Sequence, residues 1–140
     1  MDFDLDGLLR VWMSPLPNGP EAEDAFRAFY TDPVRVNGTS LDAASLVERA
    51  RGLQAALADQ DREVLDVVET DGKLAVAFRL AGRHVGPFRT AAGVLSPTGH
   101  RIELRIVDIL TITEGRVSEV WMAADELGAL AAIHAVSLTT

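Results

Sequence analysis

Asp108 is the residue with the clearest chemical potential, because it interrupts an apolar strand face between Ile106 and Leu110. A carboxylate that faces a core is costly unless it is paired, hydrogen-bonded or protonated. Desolvation raises the pKa of such a group, so that it can act as an acid or base near neutral pH. Two other interpretations stay open: a structural carboxylate held by an arginine or by backbone amides, and a strand bulge that turns Asp108 outward.

His84 is the second candidate for proton transfer, because it lies near the end of a predicted strand whose apolar face it shares with Phe78. A neutral imidazole there could shuttle a proton or orient a carbonyl group. The alternative is a polar histidine at a strand end, hydrogen-bonded to solvent or to the following loop. His100 and His134 are predicted to lie in a loop and on the surface. The sequence therefore offers no metal-ligand spacing, and no metal is expected.

Several side chains could complete a binding pocket around Asp108. Trp12, Tyr30 and Asn37 could form its rim, and Phe78 would face it from a central strand. Each of them could contact a ligand, and each could equally be a packing or turn residue.

Either Trp121 or Met122 is expected opposite Asp108, depending on the hairpin register. A two-residue loop at Glu114-Gly115 would place Trp121 there, whereas a three-residue loop with a glycine bulge would place Met122 there. In both cases an apolar side chain desolvates the carboxylate, although Trp121 could also be simple core packing.

Two further charged residues have less direct interpretations. Arg105 has the opposite strand parity to Asp108, so it should face outward, and a catalytic pair of the two would require a bulge between them. Asp125 could be a second acid, but aspartate is also a common N-cap and a terminal helix is predicted to follow it.

The N-terminal half is predicted to contain three helices. Leu5, Leu8, Leu9 and Trp12 recur at helical spacing. A second helix begins near Pro20 and ends at Asp32-Pro33. A short strand at 34–37 and a turn precede a third helix over 41–58, with Ser40 as its N-cap.

The C-terminal half has strand periodicity. Strands are predicted over 63–69, 73–85, 101–113 and 117–124, with tight turns at Asp71-Gly72 and Glu114-Gly115, a loop over 87–99 and a terminal helix over 126–136. This order predicts one α+β domain over 1–140 in which the helices pack into the concave face of a curved antiparallel sheet. A ligand would occupy an apolar pocket left between the helices and the sheet.

Composition excludes several function classes. The 140 residues carry 13 basic and 21 acidic side chains, a formal charge of −8, so nucleic acid and anionic membranes are unfavourable partners. There are no cysteines, which excludes thiol catalysis and fits a reducing cytoplasm. The acidic start is unlike a secretory signal, and we expect a cytoplasmic protein. No phosphate-binding loop, nucleophile elbow or dinucleotide motif is present.

Five segments together resemble the SnoaL-like polyketide cyclases of the nuclear transport factor two-like superfamily. They are 82–88, 96–99, 106–110, 114–117 and 119–122, followed by Asp125. The resemblance implies a cone-shaped roll, a homodimer and a cofactor-free enzyme that removes an acidic proton from a polyketide ester and closes a ring by intramolecular aldol attack. Family members often carry an aspartate directly after the last-strand tryptophan. Here that position is Met122, and the acid stands on the facing strand as Asp108.

Three functional hypotheses follow. The first is a cyclase-like enzyme acting on a hydrophobic polyketide or related metabolite, with Asp108 as general acid and base and His84 as its polar helper. The second is a non-catalytic small-molecule-binding domain with the same pocket. The third is an epoxide hydrolase or ether cyclase, which requires a second acid or an arginine within hydrogen-bond reach of Asp108.

Overall fold

The computed structural model describes residues 2–140, which form four helices and eight strands. In chain order these are α1 (Leu5–Met13), α2 (Glu21–Arg27), β1 (Tyr30–Val36), β2 (Thr39–Leu41), α3 (Ala43–Ala56), β3 (Leu57–Thr70), β4 (Lys73–His84), β5 (Phe88–Thr90), β6 (Gly93–Leu95), β7 (Arg101–Thr113), β8 (Arg116–Ala124) and α4 (Glu126–Ala132).

The main sheet has six strands in the order β2-β1-β8-β7-β4-β3. Only β1 and β8 pair in parallel, so the sheet is mixed, and β2 and β3 are free edges. Buried side chains of α1, α2 and α3 share one hydrophobic core with the inward face of β4 and β7. The predicted α+β architecture is confirmed, as a curved sheet that does not close into a barrel.

The segment before α3 differs from its prediction. Asn37 and Gly38 both adopt positive φ (49° and 85°), which makes a two-residue hairpin turn between β1 and β2. The chain therefore returns as a strand over Thr39–Leu41. The predicted N-cap at Ser40 is wrong, because α3 begins two residues later and Asp42 caps it by accepting a hydrogen bond from the Ser45 amide at 2.8 Å.

Strand β3 begins at Leu57, six residues earlier than predicted, and contains two bulges. One lies between Ala58 and Asp61, the other between Val64 and Asp66. Each bulge inserts a residue and reverses the side-chain alternation beyond it. As a result Arg62, paired with Leu80, faces the concave side of the sheet.

The β7–β8 hairpin has the two-residue loop at Glu114-Gly115, for which Trp121 was expected opposite Asp108. Its register beyond the loop is nevertheless the one that was expected from a glycine bulge. Thr113 pairs with Arg116, yet Thr111 pairs with Glu119, because Ser118 is an extra residue in β8. Met122 therefore stands opposite Asp108, and Trp121 stands opposite Ile109.

The remaining differences are at the periphery. The predicted loop over 87–99 contains the small β5–β6 hairpin, and α4 ends at Ala132, four residues before its predicted end. Within the described chain, no helix combines the length and apolar character needed to cross a membrane.

Two glycines test how tightly the helical layer contacts the sheet. A side chain at Gly86 would collide with the backbone carbonyl of Ala55, whereas a side chain at Gly52, inside α3, would meet open space. We expect Gly86→Ala to lower the free energy of unfolding by about 1–3 kcal/mol through overpacking. Gly52→Ala should raise it by roughly 0.5–1 kcal/mol through helix propensity. Urea unfolding of both variants checks the pair, and an equal effect of the two substitutions would contradict the close approach.

Candidate active site

Asp108 faces the concave side of the sheet, between Val76 of β4 and Met122 of β8. Its side chain is mostly buried, and its Oδ1 atom is buried with no hydrogen-bond partner. Burial raises the pKa of the Asp108 carboxyl to about 6, against an opposing effect of the positive charge on Arg62. The inward orientation predicted from strand parity is confirmed. The alternative of a structural carboxylate required an arginine or backbone amides bound to Asp108, and the Oδ1 atom has no such partner.

Arg62 is a site residue that the sequence analysis missed. Its guanidinium carbon lies 5.7 Å from the centre of the Phe78 ring, and its Nε atom is buried without a partner. Burial lowers the pKa of Arg62 to about 10, while Tyr30 and Asp108 act in the opposite direction. The guanidinium therefore stays protonated at neutral pH, close enough to Asp108 for each charge to influence the other.

The boundary between α3 and β3 explains why Arg62 was missed. The third helix was predicted to reach residue 58 and the next strand to begin at 63, whereas α3 ends at Ala56 and β3 begins at Leu57. Arg62 therefore fell in a predicted connecting segment, in which no side-chain orientation could be assigned. The usable signal was its two-residue spacing from Val64, which places both side chains on one side of a strand.

Tyr30 supplies a buried hydroxyl to the same cluster. Trp12 Nε1 donates a hydrogen bond to the Tyr30 hydroxyl oxygen at 2.8 Å, and Phe26 stacks on the Tyr30 ring. Burial raises the pKa of Tyr30 far above its ordinary value. Because the oxygen accepts from Trp12, the Tyr30 O–H proton is left free to donate, and no side chain within residues 2–140 accepts it.

Apolar side chains surround the three polar groups. Phe78 is buried beneath Arg62, while Met122, Val64 and Val67 are 41%, 38% and 38% exposed on the inward face of the sheet. The structure thus brings together Asp108, Tyr30, Trp12, Phe78 and Met122 as predicted, and adds Arg62. Val64, Val67 and Met122 thus form a partly exposed apolar surface on the same face as the polar groups.

His84 does not lie beside Asp108, so its predicted role as helper is wrong. About 26 Å of strand separates it from Val76, the β4 partner of Asp108. The ring is fully buried, and its Nδ1 atom accepts a hydrogen bond from the Thr98 amide at 3.1 Å and lies 2.9 Å from the Thr98 hydroxyl. His84 ties the loop before β7 to the end of β4.

Trp121 and Asn37 are also wrong as pocket residues. The Ser118 bulge turns Trp121 to the outer face, where it is 50% exposed beside Ile109. Asn37 binds the backbone of Met122 instead of a ligand: its Oδ1 accepts from the Met122 amide at 2.8 Å and its Nδ2 donates to the Met122 carbonyl at 3.2 Å. Asn37 therefore fixes the strand segment that faces Asp108.

Arg105 and Asp125 lie away from the site. Arg105 faces outward as expected and forms a 3.3 Å ion pair with Asp125, which also caps α4 by accepting from the Gly128 amide. Throughout the described chain, no second acid and no arginine lies within hydrogen-bond reach of the Asp108 carboxyl, so the condition set for an epoxide hydrolase is not met.

The described cavities do not coincide with these residues. A cavity of about 350 Å³ lies between Phe3, Phe29 and Ile112, and one of about 260 Å³ lies near Gln54 and Gln60. The Asp108 cluster instead lies on the open part of the concave face beside Val64, Val67 and Met122, and this apolar region is termed the recess. It differs from the enclosed central pocket expected from the sequence.

Comparison with known proteins fixes the family. The family model described as SnoaL-like polyketide cyclase matches residues 18–133. The chain belongs to the SnoaL-like polyketide cyclase family. A search of curated proteins finds no significant match.

Solved structures show the same fold at low sequence identity. A SnoaL-like polyketide cyclase from Agrobacterium tumefaciens is 19% identical, with a TM-score of 0.73 over 96% of this chain and 99% of that one. IdmH from Streptomyces antibioticus, a candidate polyketide cyclase, is 19% identical, with a TM-score of 0.70 over 93% and 95%. AclR from Streptomyces galilaeus, a candidate hydroxylase, is 20% identical, with a TM-score of 0.67 over 84% and 86%. These three structures share the architecture of this chain, and their names span more than one reaction.

The raised pKa of Asp108 predicts a pH-dependent effect on stability. A carboxyl whose pKa is higher in the folded state than its ordinary 3.8 destabilises the fold as pH rises from about 4 to 6. Asp108→Asn removes this penalty, so the variant should be more stable than the parent at pH 7.5 by on the order of 2 kcal/mol, and the difference should shrink below pH 4. Urea unfolding at both pH values measures it. Glu48→Gln, on an exposed face of α3, is the control and should show no such trend.

Proposed function

We propose that this SnoaL-like protein is a cofactor-independent enzyme in which Asp108 transfers a proton to and from a hydrophobic carbonyl substrate during ring closure. The observation that carries the proposal is the recessed Asp108 carboxyl, whose Oδ1 atom is buried and unpartnered and whose pKa is raised to about 6. Such a group is ionised at pH 7, so it can accept a proton, and its protonated form is acidic enough to return one.

The proposed reaction begins at a carbon next to a carbonyl group. The Asp108 carboxylate removes a proton from that carbon, and the C–H electron pair forms an enolate. The enolate carbon then attacks a second carbonyl carbon of the same molecule, which forms the new C–C bond. The resulting alkoxide takes the proton back from Asp108, so the substrate isomerises and the enzyme returns to its starting state.

Two neighbouring groups support this chemistry electrostatically. The Tyr30 hydroxyl has a free proton to donate, and Arg62 holds a positive charge in a largely buried position. Donors fixed in place before reaction stabilise an enolate oxygen more than water does, because they need not reorient. The apolar walls at Val64, Val67 and Met122 favour a hydrophobic substrate.

The position of Asp108 is compatible with the family pattern. The resemblance implies an aspartate directly after the last-strand tryptophan, at the place of Met122. Met122 and Asp108 are direct cross-strand partners on the inward face. Side chains in such a pair are about 5 Å apart, so an acid on either strand serves nearly the same point in space.

Loss of the carboxyl should abolish proton transfer. We expect Asp108→Asn to slow enzyme-catalysed deuterium exchange into the α-carbon of 2-tetralone by about 100-fold or more, followed by NMR. In the parent protein the exchange rate should rise with pH through about 6, as the Asp108 carboxylate forms. Glu48→Gln is the matched control. Full exchange activity in Asp108→Asn would refute proton transfer and leave the non-catalytic binding hypothesis.

We also propose that two copies of the chain pack through the outer face of the sheet. Val107, Ile109 and Trp121 are exposed there, and the patch they form has Arg105 at one end and Glu119 at the other. A copy related by two-fold symmetry would place the Arg105 end of one patch against the Glu119 end of the other.

A charge in the centre of this patch should separate the copies. Ile109→Lys should halve the mass measured by sedimentation equilibrium, because it places a cation in a desolvated apolar contact. Val94→Lys, a change at another exposed apolar residue, on β6 and away from the patch, should leave the mass unchanged. A parent protein that is already monomeric at high concentration would contradict the proposal.

A further inference from the structure

Arg62 is a largely buried cation without a counter-ion. Within residues 2–140, no carboxylate oxygen lies within 4.0 Å of its guanidinium nitrogens, and its Nε atom is buried without any partner. Its guanidinium carbon lies 5.7 Å from the centre of the Phe78 ring, so an aromatic face packs beside the charge.

Three outward-facing arginines of β4 and β7 are different. Arg79, Arg83 and Arg105 face outward, and each has a carboxylate within 3.3–3.5 Å: Asp61, Asp59 and Asp125 respectively. Arg62 differs from them because the bulge between Ala58 and Asp61 turns it inward, toward Asp108 and Tyr30. Asp108 does not supply the missing partner, because it forms no ion pair with Arg62 in the described chain.

A guanidinium that is removed from water without an anion is unfavourable, whereas a bound anion would offset the cost. Its planar fork of donors also fits a carboxylate or another two-oxygen anion better than a neutral carbonyl. The recess in front of Arg62 is lined by the exposed inward sides of Val64, Val67 and Met122, so the anion must belong to a largely apolar molecule.

We propose that Arg62 anchors an anionic group of the substrate, a carboxylate or an ionised 1,3-dicarbonyl, while the apolar body of the substrate lies on Val64, Val67 and Met122. This proposal deepens the function proposed above and rests on it for the use of the recess as a substrate site. In this arrangement the anchored anion fixes one end of the molecule, and the Tyr30 hydroxyl and the Asp108 carboxyl meet the reacting part. Arg62 thereby selects acidic substrates over neutral ones of the same shape.

A pair of probes with the same ring system tests the selection. 2-Naphthoate carries a carboxylate at neutral pH and 2-naphthamide does not, while their apolar parts are identical. Isothermal titration calorimetry at pH 7.5 should show that the parent protein binds 2-naphthoate at least about tenfold more tightly than 2-naphthamide. Equal affinities, or no binding of either probe at its solubility limit, would overturn the proposal.

Substitution of Arg62 should remove the preference without removing the recess. Arg62→Gln should bind both probes with equal affinity, within about twofold of the parent's affinity for 2-naphthamide, and Arg62→Lys should retain part of the preference. The matched control is Arg49→Gln, an exposed arginine of α3, which should keep the full tenfold difference. A preference for 2-naphthoate that persists in Arg62→Gln would overturn the assignment. Since the substitution removes a buried charge, urea unfolding should show no loss of stability, which confirms that the variant is folded.

Asp108→Asn distinguishes this proposal from the catalytic one. The variant lacks a negative charge near Arg62, so its preference for 2-naphthoate should be kept or increased while deuterium exchange is lost. If deuterium exchange continues in Asp108→Asn while the preference for 2-naphthoate still depends on Arg62, the proposal of proton transfer by Asp108 is refuted and the proposal of an anion site at Arg62 stands. If deuterium exchange is lost in Asp108→Asn but Arg62→Gln keeps the preference for 2-naphthoate, proton transfer by Asp108 stands and the anion site at Arg62 is refuted.

Discussion

The site depends on the desolvation of two opposite charges, those of Asp108 and Arg62, which form no ion pair with each other. Asp108 and Arg62 both point into the apolar concave face, each with an unpartnered buried atom. Burial moves the pKa of each group toward neutrality, to about 6 for Asp108 and about 10 for Arg62. A direct ion pair would have stabilised both charged forms and made the carboxyl a poor base. Separation within a shared apolar environment keeps one group basic and the other cationic.

The aromatic network behind the charges keeps this arrangement in place. Trp12 reaches from α1 to the Tyr30 hydroxyl, and both rings pack on Phe26 of α2. The helical layer therefore determines the direction of the Tyr30 proton, while the sheet determines the positions of the charges. On the opposite side, the two hydrogen bonds between the Asn37 side chain and the Met122 backbone join the end of β1 to β8 at the level of Asp108.

Sequence patterns predicted what local periodicity controls. The long strand over Arg101–Thr113 was predicted with its correct bounds and with Asp108 inward, because its alternation is uninterrupted. The first helix and the tight turn at Glu114-Gly115 followed from equally local signals. The end of the second helix was wrong, because α2 stops at Arg27, well before the predicted boundary at Asp32-Pro33, and β1 already begins at Tyr30. The catalytic and binding roles of these residues remain predictions.

Two of the errors at the site share one physical cause, the insertion of single residues into strands. The bulge between Ala58 and Asp61 placed Arg62 inside, and the extra Ser118 placed Trp121 outside. A bulge forms where cross-strand pairing and core packing outweigh regular alternation, and neither is visible in one strand alone. His84 failed for another reason: sharing a strand face says nothing about distance along a strand of twelve residues.

Ser118 gives this hairpin an unusual evolutionary property. Since side chains alternate, loss of that one residue would exchange the two faces of β8 beyond it, bringing Trp121 and Ala123 inside and sending Met122 out. A three-nucleotide deletion would thus replace Met122 by Trp121 and Ala123 on the inward face and remove an aromatic side chain from the outer face in a single event. Insertion or deletion of one residue at this position therefore changes several inward-facing side chains of this hairpin at once, whereas point substitutions change them one at a time.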